Sequence, residues 1–327
     1  MKAILIKENK DLVWSDVQDP VIRDDEVLVK IYAAALNRAD LLQRQGRYPS
    51  PPGCPEWMGL EIAGKIVEMG EIAKEKSNYK IGDEVCALLG GGGYAEYANI
   101  KYDMLMPVPE NCSMIEAAAI PEAFATAWLN LFHEGGLKAG DTLLITAGAS
   151  GLASVMIPMA KAFGAYVITT VHKAELAEAI RPLGADVIVN TACESLPDVL
   201  KAQAEAGHSV TVAVDCLGGA VMGQCLPHLT HGARWIMIAT LAGDLTEVNL
   251  RTVYVRNIRI IGSTLRSRTQ QVKEQLLAEL VANVWPHVSA GKIRPTISAV
   301  LPITEADAAH QRLYSGNNAG KVVLTVD

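Results

Sequence analysis

The chain reads as an α/β protein built around a doubly wound six-stranded parallel sheet, and three observations carry that reading. An apolar strand, Leu143-Leu144-Ile145, runs directly into a glycine turn and a helix start. From there to Ser263 strand and helix patterns alternate, as a parallel sheet with crossover helices requires. The segments on either side have another texture: short alternating strands punctuated by glycine and proline. The sheet is therefore expected as an insertion in a second, mostly β domain to which the last ~60 residues return, with a ligand held in the cleft between the two.

In the first ~120 residues, Val27–Tyr32, Glu61–Val67 and Asp83–Leu88 read as strands. Arg47–Pro55 carries four prolines, which excludes helix and central strand and predicts an irregular loop, a usual place for binding surfaces. After the glycine turn, Val155–Phe163 reads as a helix ending at Gly164, and Ala165–Val171 as the second strand. Pro158 inside that helix lacks the N–H owed to Ser154 and predicts a bend, at a cost of ~3 kcal/mol. Helices over Ala174–Leu183, Ser195–Ala206 and Ala220–Leu229 separate strands over Val187–Val189, Val210–Val214, Arg234–Ala239 and Asn257–Ser263. Beyond them, Gln270–Ser289 reads as one amphipathic helix, and Ile297–Leu301 and Lys321–Val326 as strands.

The turn Gly148-Ala149-Ser150-Gly151-Leu152-Ala153 carries the chemistry. Backbone N–H groups at a helix start are unpaired and partly positive, so a phosphate fits there, and the β-turn-α-β context points to the pyrophosphate of a dinucleotide. Gly148 permits the turn and Gly151 permits close approach. Ala153 replaces the more usual third glycine and is small enough to keep helix and strand packed. About twenty residues on, where a carboxylate would select NAD by its ribose hydroxyl, the chain reads Thr169-Thr170-Val171-His172-Lys173. No acid is present. Thr170, His172 and Lys173 offer donors to a 2′-phosphate instead, which predicts NADPH; the alternative makes Lys173 a solvated charge and His172 a loop residue.

Half of the 327 residues are hydrophobic and a fifth are charged, enough for two cores. A net charge of -7 and pI near 5.6 argue against nucleic-acid or anionic-membrane binding. The early charges in Met1–Glu8 do not suit a signal peptide, and no apolar run suits a membrane span, so a cytoplasmic location is the default expectation. Six scattered cysteines without a C-x-x-C pair predict reduced, mostly buried thiols. His228 and His231 suit a helix end better than a metal, and no metal site is predicted.

Besides the glycine turn, the segments Asn37–Asp40, Gly59–Glu61, Gly82–Val85, Gly90–Tyr97, Pro121–Ala127, Leu265–Arg268 and Gly320–Leu324 occur in an order and spacing that resemble the zinc-free quinone oxidoreductases. These form the zeta-crystallin-like group of the medium-chain dehydrogenase/reductase superfamily, and the resemblance covers essentially the full length. It implies a GroES-like, mostly β catalytic domain from residues 1–122 and 266–327, with a Rossmann domain at 123–265. Zinc-dependent relatives would place cysteines near Asn37 and Glu122 and a histidine near Leu60; all three are replaced, and the structural zinc lobe is missing.

The implied chemistry is hydride transfer from the nicotinamide of NADPH to a quinone, with a proton from water or a polar side chain. Asn37 and Tyr48 are implied beside nicotinamide and substrate, Tyr48 as proton donor or aromatic wall, and Asn37 otherwise as a loop brace. Thr126 is implied at the nicotinamide or its ribose, Ser150, Gly151 and Leu152 at the pyrophosphate, and Ala239, Thr240, Leu265 and Asn318 along the dinucleotide. Where the group grips the 2′-phosphate with a lysine and a tyrosine, this chain has Leu176 and Thr191, so Lys173 is expected to substitute. The edge strand Ile258–Ser263 is expected to pair across a two-fold axis in a homodimer. An α,β-unsaturated aldehyde or ketone is the alternative substrate, and a dinucleotide-binding sensor or lens-type structural protein the non-enzymatic alternative.

Overall fold

The computed structural model describes residues 1–316 and 318–326. Contacts divide the chain into two units, Met1–Ala125 with Arg268–Asp327 and Thr126–Ser267. The first unit contains strands β1 (Lys2–Ile6), β2 (Leu12–Asp16), β3 (Glu26–Ala35), β4 (Glu61–Met69), β5 (Glu84–Leu88), β6 (Tyr97–Lys101) and β7 (Leu105–Pro107). The second contains β8 (Thr142–Ile145), β9 (Tyr166–Val171), β10 (Val187–Asn190), β11 (Val212–Asp215), β12 (Arg234–Met237) and β13 (Arg259–Gly262). The chain then returns to the first unit with β14 (Ile297–Pro302) and β15 (Lys321–Thr325).

In the first unit a seven-stranded sheet runs β14-β15-β3-β4-β5-β7, with β6 also on β3. The ten-residue β3 organises it, because β15 and β4 flank its C-terminal half in antiparallel register. Ala35 lies opposite Val323 and Ala34 opposite Ile62. That register brings the end of β3 and the starts of β4 and β15 to one edge of the sheet, although their residues are 24 to 285 positions apart. Alternate residues Val27, Val29 and Ile31 are buried in a core shared with Ile62, Ile66, Tyr94 and Leu324. Tyr94 reaches this core because Gly59, at φ +105, and Gly93 cross backbone to backbone; a Cβ on Gly59 would lie 2.5 Å from the Gly93 Cα.

The second unit is the doubly wound sheet, all parallel, in the order β10-β9-β8-β11-β12-β13. The strand order reverses between β8 and β11, the switch point where open α/β sheets bind ligands at the carboxyl ends of their strands. Ala153–Ala162 forms a helix that runs on through Pro158.

Two expectations need correction, and one helix was not foreseen. Gln270–Ser289 is two helices, Gln270–Asn283 and Trp285–Ser289, because Pro286 cannot continue the first and instead opens the second. A helix at Leu250–Val255, capped by the Asn249 side chain, was not foreseen. Of the six cysteines only Cys86 and Cys225 are buried; Cys193 is exposed. Among the described residues no helix is long and apolar enough to cross a membrane.

Candidate active site

The edge organised by β3 carries a dense polar cluster. Lys321 and Glu61 are buried and form an ion pair of 2.6 Å. The Lys321 ammonium also donates to Leu36 O at 2.8 Å and Asn37 Oδ1 at 2.7 Å, so its three hydrogens are all used. Glu61 is satisfied in turn: Oε1 accepts from Asn37 Nδ2 at 2.9 Å, and Oε2 accepts the Glu122 backbone N–H at 2.9 Å. A buried pair of charges is tolerable only when its remaining hydrogen-bonding capacity is met in this way.

The cluster continues inward through the start of the helix Arg38–Arg44. Asp40 Oδ2 accepts the Asn37 backbone N–H at 2.7 Å, closing a capping box, and accepts the Tyr94 hydroxyl hydrogen at 3.1 Å. Tyr94 Oη lies 3.5 Å from His310 Nε2. Burial raises the Asp40 carboxyl to about 6, opposed by its hydrogen bonds from Asn37 and Tyr94. Burial likewise holds the Tyr94 phenol well above its ordinary range, with the Asp40 charge adding to it. His310 falls to about 4 through burial and the Arg44 cation nearby. Half-buried Glu122 rises to about 7, first through desolvation and then through the Glu61 charge, while Lys321 pulls the other way.

In the second unit the glycine turn leaves β8 through Ala147, a left-handed residue at φ 55. Gly148 N–H donates to Thr170 O at 2.7 Å, and Ala147 N–H donates to Thr170 Oγ1 at 3.1 Å. Ser150 Oγ accepts the Ala153 N–H at 3.1 Å and opens the following helix. Among the described residues the N–H groups of Gly151 and Leu152 donate to no backbone carbonyl, leaving two donors at the start of a ten-residue helix. These donors and the half-exposed turn fit an anionic pyrophosphate. Beneath them Asp215, fully buried at the end of β11, ties the switch point together. It accepts the Thr146 hydroxyl hydrogen at 2.9 Å, the Leu217 N–H at 2.8 Å and the Trp235 indole N–H at 3.2 Å.

The expected nucleotide residues of the second unit fall after the carboxyl ends of its strands: Gly148 to Leu152 after β8, His172 and Lys173 after β9, Ala239 and Thr240 after β12, and Leu265 after β13. His172 and Lys173 are exposed, and Lys173 stands at the N-cap of the helix Ala174–Ile180. Thr170 is 2% exposed with its hydroxyl on the turn, so it braces the backbone where an open phosphate donor was expected. Leu265 is buried. Thr126 is half-buried, and its carbonyl accepts from Asn130 Nδ2 at 2.7 Å.

In the first unit, half-buried Tyr48 lies in the proline-rich loop, which Gln43 braces by donating to Ser50 Oγ and Glu56 O, both at 2.9 Å. Asn318 Nδ2 donates to Gly320 O at 3.0 Å, within its own loop. Asn37 has both ends of its amide engaged. Sequence reasoning did not single out Glu61, Glu122, Lys321 or Asp215, although the first three stand in segments that carried the resemblance. The positions that hold zinc in the metal-dependent relatives do not fit that ion: Leu60 is buried hydrocarbon, and Asn37 is bonded to an ammonium that already supplies the positive charge.

Two family descriptions match the chain: "Alcohol dehydrogenase GroES-like domain" over residues 23–110 and "Zinc-binding dehydrogenase" over residues 151–282. Among curated relatives, the quinone oxidoreductase-like protein 2 homolog of Nematostella vectensis is 31% identical over 99% of this chain and 88% of its own length. The quinone oxidoreductase of Sus scrofa is 31% identical over 95% of this chain and 92% of its own. Among solved structures, the quinone oxidoreductase of Thermus thermophilus, determined also in complex with NADPH, superposes with a TM-score of 0.83 at 27% identity, covering 100% of both chains. The chain therefore belongs to the zinc-independent, quinone oxidoreductase-like branch of the medium-chain dehydrogenase/reductase superfamily.

Proposed function

We propose that this oxidoreductase uses NADPH to reduce quinones without a metal ion. The observation that carries the reading is the turn at the sheet's switch point, where among the described residues the N–H groups of Gly151 and Leu152 donate to no backbone carbonyl at a helix start. Bound there, a reduced nicotinamide dinucleotide supplies a hydride. The chain's own residues do the rest: Gly151 and Leu152 hold the pyrophosphate, Thr126 the nicotinamide end, Ala239, Thr240, Leu265 and Asn318 the walls, and exposed His172 and Lys173 the 2′-phosphate. The proline-rich loop supplies Tyr48 to the substrate, and Asn37 fixes the floor through Glu61 and Lys321.

The assembly proposed is a homodimer formed through the β13 edge. Ile260 in that strand is exposed, and so are Leu245, Leu250, Tyr254 and Val255 from the segment just before it, more apolar surface than an isolated edge needs.

The test is a paired titration with NADPH and NADH, followed by turnover on a panel of quinones and conjugated enones. NADPH should bind at least tenfold more tightly, Lys173→Glu should abolish that preference, and quinones should be turned over. Equal affinities would refute the assignment of His172 and Lys173. Turnover of enones alone would move the substrate class, and tight binding without turnover of any acceptor would favour a sensor.

A further inference from the structure

We propose that Glu122 is the catalytic acid, the group that gives a proton to the acceptor as it is reduced. This rests on the reductase reading above. Glu122 is the second residue of the helix Pro121–Trp128, and its backbone N–H is held by Glu61 Oε2. Its backbone is therefore anchored on the buried cluster, whose charged groups Glu61, Lys321 and Asp40 bear on its carboxyl. Within that helix only Glu122 and Thr126 are partly open to solvent; they are four residues apart and so share one face. Thr126 is the residue proposed for the nicotinamide end.

The cluster also explains why this carboxyl keeps its proton. The one ammonium within the cluster, Lys321, has spent all three hydrogens on Leu36, Asn37 and Glu61 and has none to donate to Glu122. Four charged groups bear on the carboxyl: Glu61 on β4 and Asp40 on the helix Arg38–Arg44 favour its protonated form, whereas Lys321 on β15 and Lys273 on the helix Gln270–Asn283 oppose it. Burial decides the balance, and half of the carboxyl population is protonated at about pH 7. The other acids of the network, Asp40 and Tyr94, are fully buried and cannot meet a substrate. Of the three, only Glu122 is partly open to solvent.

The step balances. The dinucleotide C–H bond breaks and two electrons pass with its hydrogen to the quinone; the Glu122 O–H bond breaks and the proton joins the resulting oxyanion. The Glu122 carboxylate then takes a proton from water. One reduced dinucleotide, one proton and one quinone give one oxidised dinucleotide and one hydroquinone.

Two measurements test it. In the protein without cofactor, infrared difference spectra across pH 5–9 should show a carboxyl band titrating near pH 7 that Glu122→Gln removes. With NADPH and a quinone, the wild-type rate should fall as pH rises through about 7, because the acid must be protonated. Glu122→Gln should be slower by about 10²-fold and lack that limb, with NADPH affinity unchanged within twofold. Glu122→Asp, shorter by one methylene, should be slowed yet keep the limb; it decides the matter if the glutamine variant does not fold. Full-rate turnover by either variant with the wild-type pH profile overturns this proposal alone. A wild-type protein that reduces no acceptor overturns the reductase reading and this one with it, and the infrared band distinguishes that case.

Discussion

The inner end of the cluster holds two buried titrating groups whose effects on stability oppose each other, and separating them is a quantitative test of the geometry. Asp40 is wholly buried and titrates at about 6, above an ordinary 3.8. Its raised value favours the folded state at low pH: the contribution is complete below 3.8 and is lost as pH rises through 6. His310 is 1% exposed and titrates at about 4, below an ordinary 6.5. Its contribution is complete above 6.5 and is lost as pH falls through 4.

Between pH 7 and pH 4.5 the first group adds ~2 kcal/mol of stability and the second removes ~2.5 kcal/mol, so the two nearly cancel. Asp40→Asn keeps an acceptor for the Asn37 N–H and exposes the histidine's slope; relative to wild type it should lose ~2 kcal/mol on acidification to pH 4.5. His310→Gln should gain a similar amount relative to wild type over the same interval. Urea unfolding followed by tryptophan fluorescence at four pH values reads both. Because each comparison is a difference from wild type, the titrations of Glu122 and the surface groups drop out. Variants whose stability runs parallel to wild type across this interval would falsify the assignment of Asp40 and His310 as buried, oppositely shifted groups.

Lys321→Met leaves Glu61 charged and buried without its partner, which should cost about 3–5 kcal/mol; the Tm read by circular dichroism should fall accordingly, and adding Glu61→Gln should recover part of the loss. Gly148→Ala places a Cβ 2.4 Å from Thr169 Oγ1 and 2.9 Å from Ile180 Cδ1, an overpacking worth ~1–3 kcal/mol that should displace the turn and weaken NADPH binding tenfold or more by calorimetry. Ile260→Lys, on the exposed β13 edge, should convert the proposed dimer to a monomer in light scattering with NADPH affinity unchanged; a wild-type protein that is already monomeric would refute the edge pairing.

The second unit was legible because its signals are local. Strand, turn, helix and strand lie within about thirty residues of one another, and every strand of the sheet coincides with an apolar run bounded by glycine or polar residues. The break near Val284 was also legible in principle, since Pro286 stands in the sequence. The helix Leu250–Val255 was hidden by its β-branched and aromatic composition, which lowers helix propensity despite a good cap at Asn249. The cluster at Asn37, Glu61 and Lys321 could not be read from the sequence alone. It exists because β3 pairs β4 on one side and β15 on the other, and no local pattern reports a register between residues nearly three hundred positions apart. Asn37 read either as a group beside nicotinamide and substrate or as a loop brace, and the fixing of its amide by Glu61 and Lys321 is a long-range contact that neither reading contained.

That saturation bears on the acceptor. A catalytic zinc works through an open coordination position from which it polarises a carbonyl or an alcohol oxygen. Lys321 puts a positive charge at the corresponding cluster but has no hydrogen left to give, and Leu60 offers no ligand. Charge of this kind orders the side chains around it and has no hydrogen left to activate a further oxygen. On the proposed function, an acceptor reduced over this cluster gains no activation from Lys321, and its electrophilicity rests on its own conjugation and on the proton proposed to come from Glu122. Quinones and conjugated enones meet that requirement and simple ketones do not, so a rate with a saturated ketone comparable to that with a quinone would require an activating group outside the cluster.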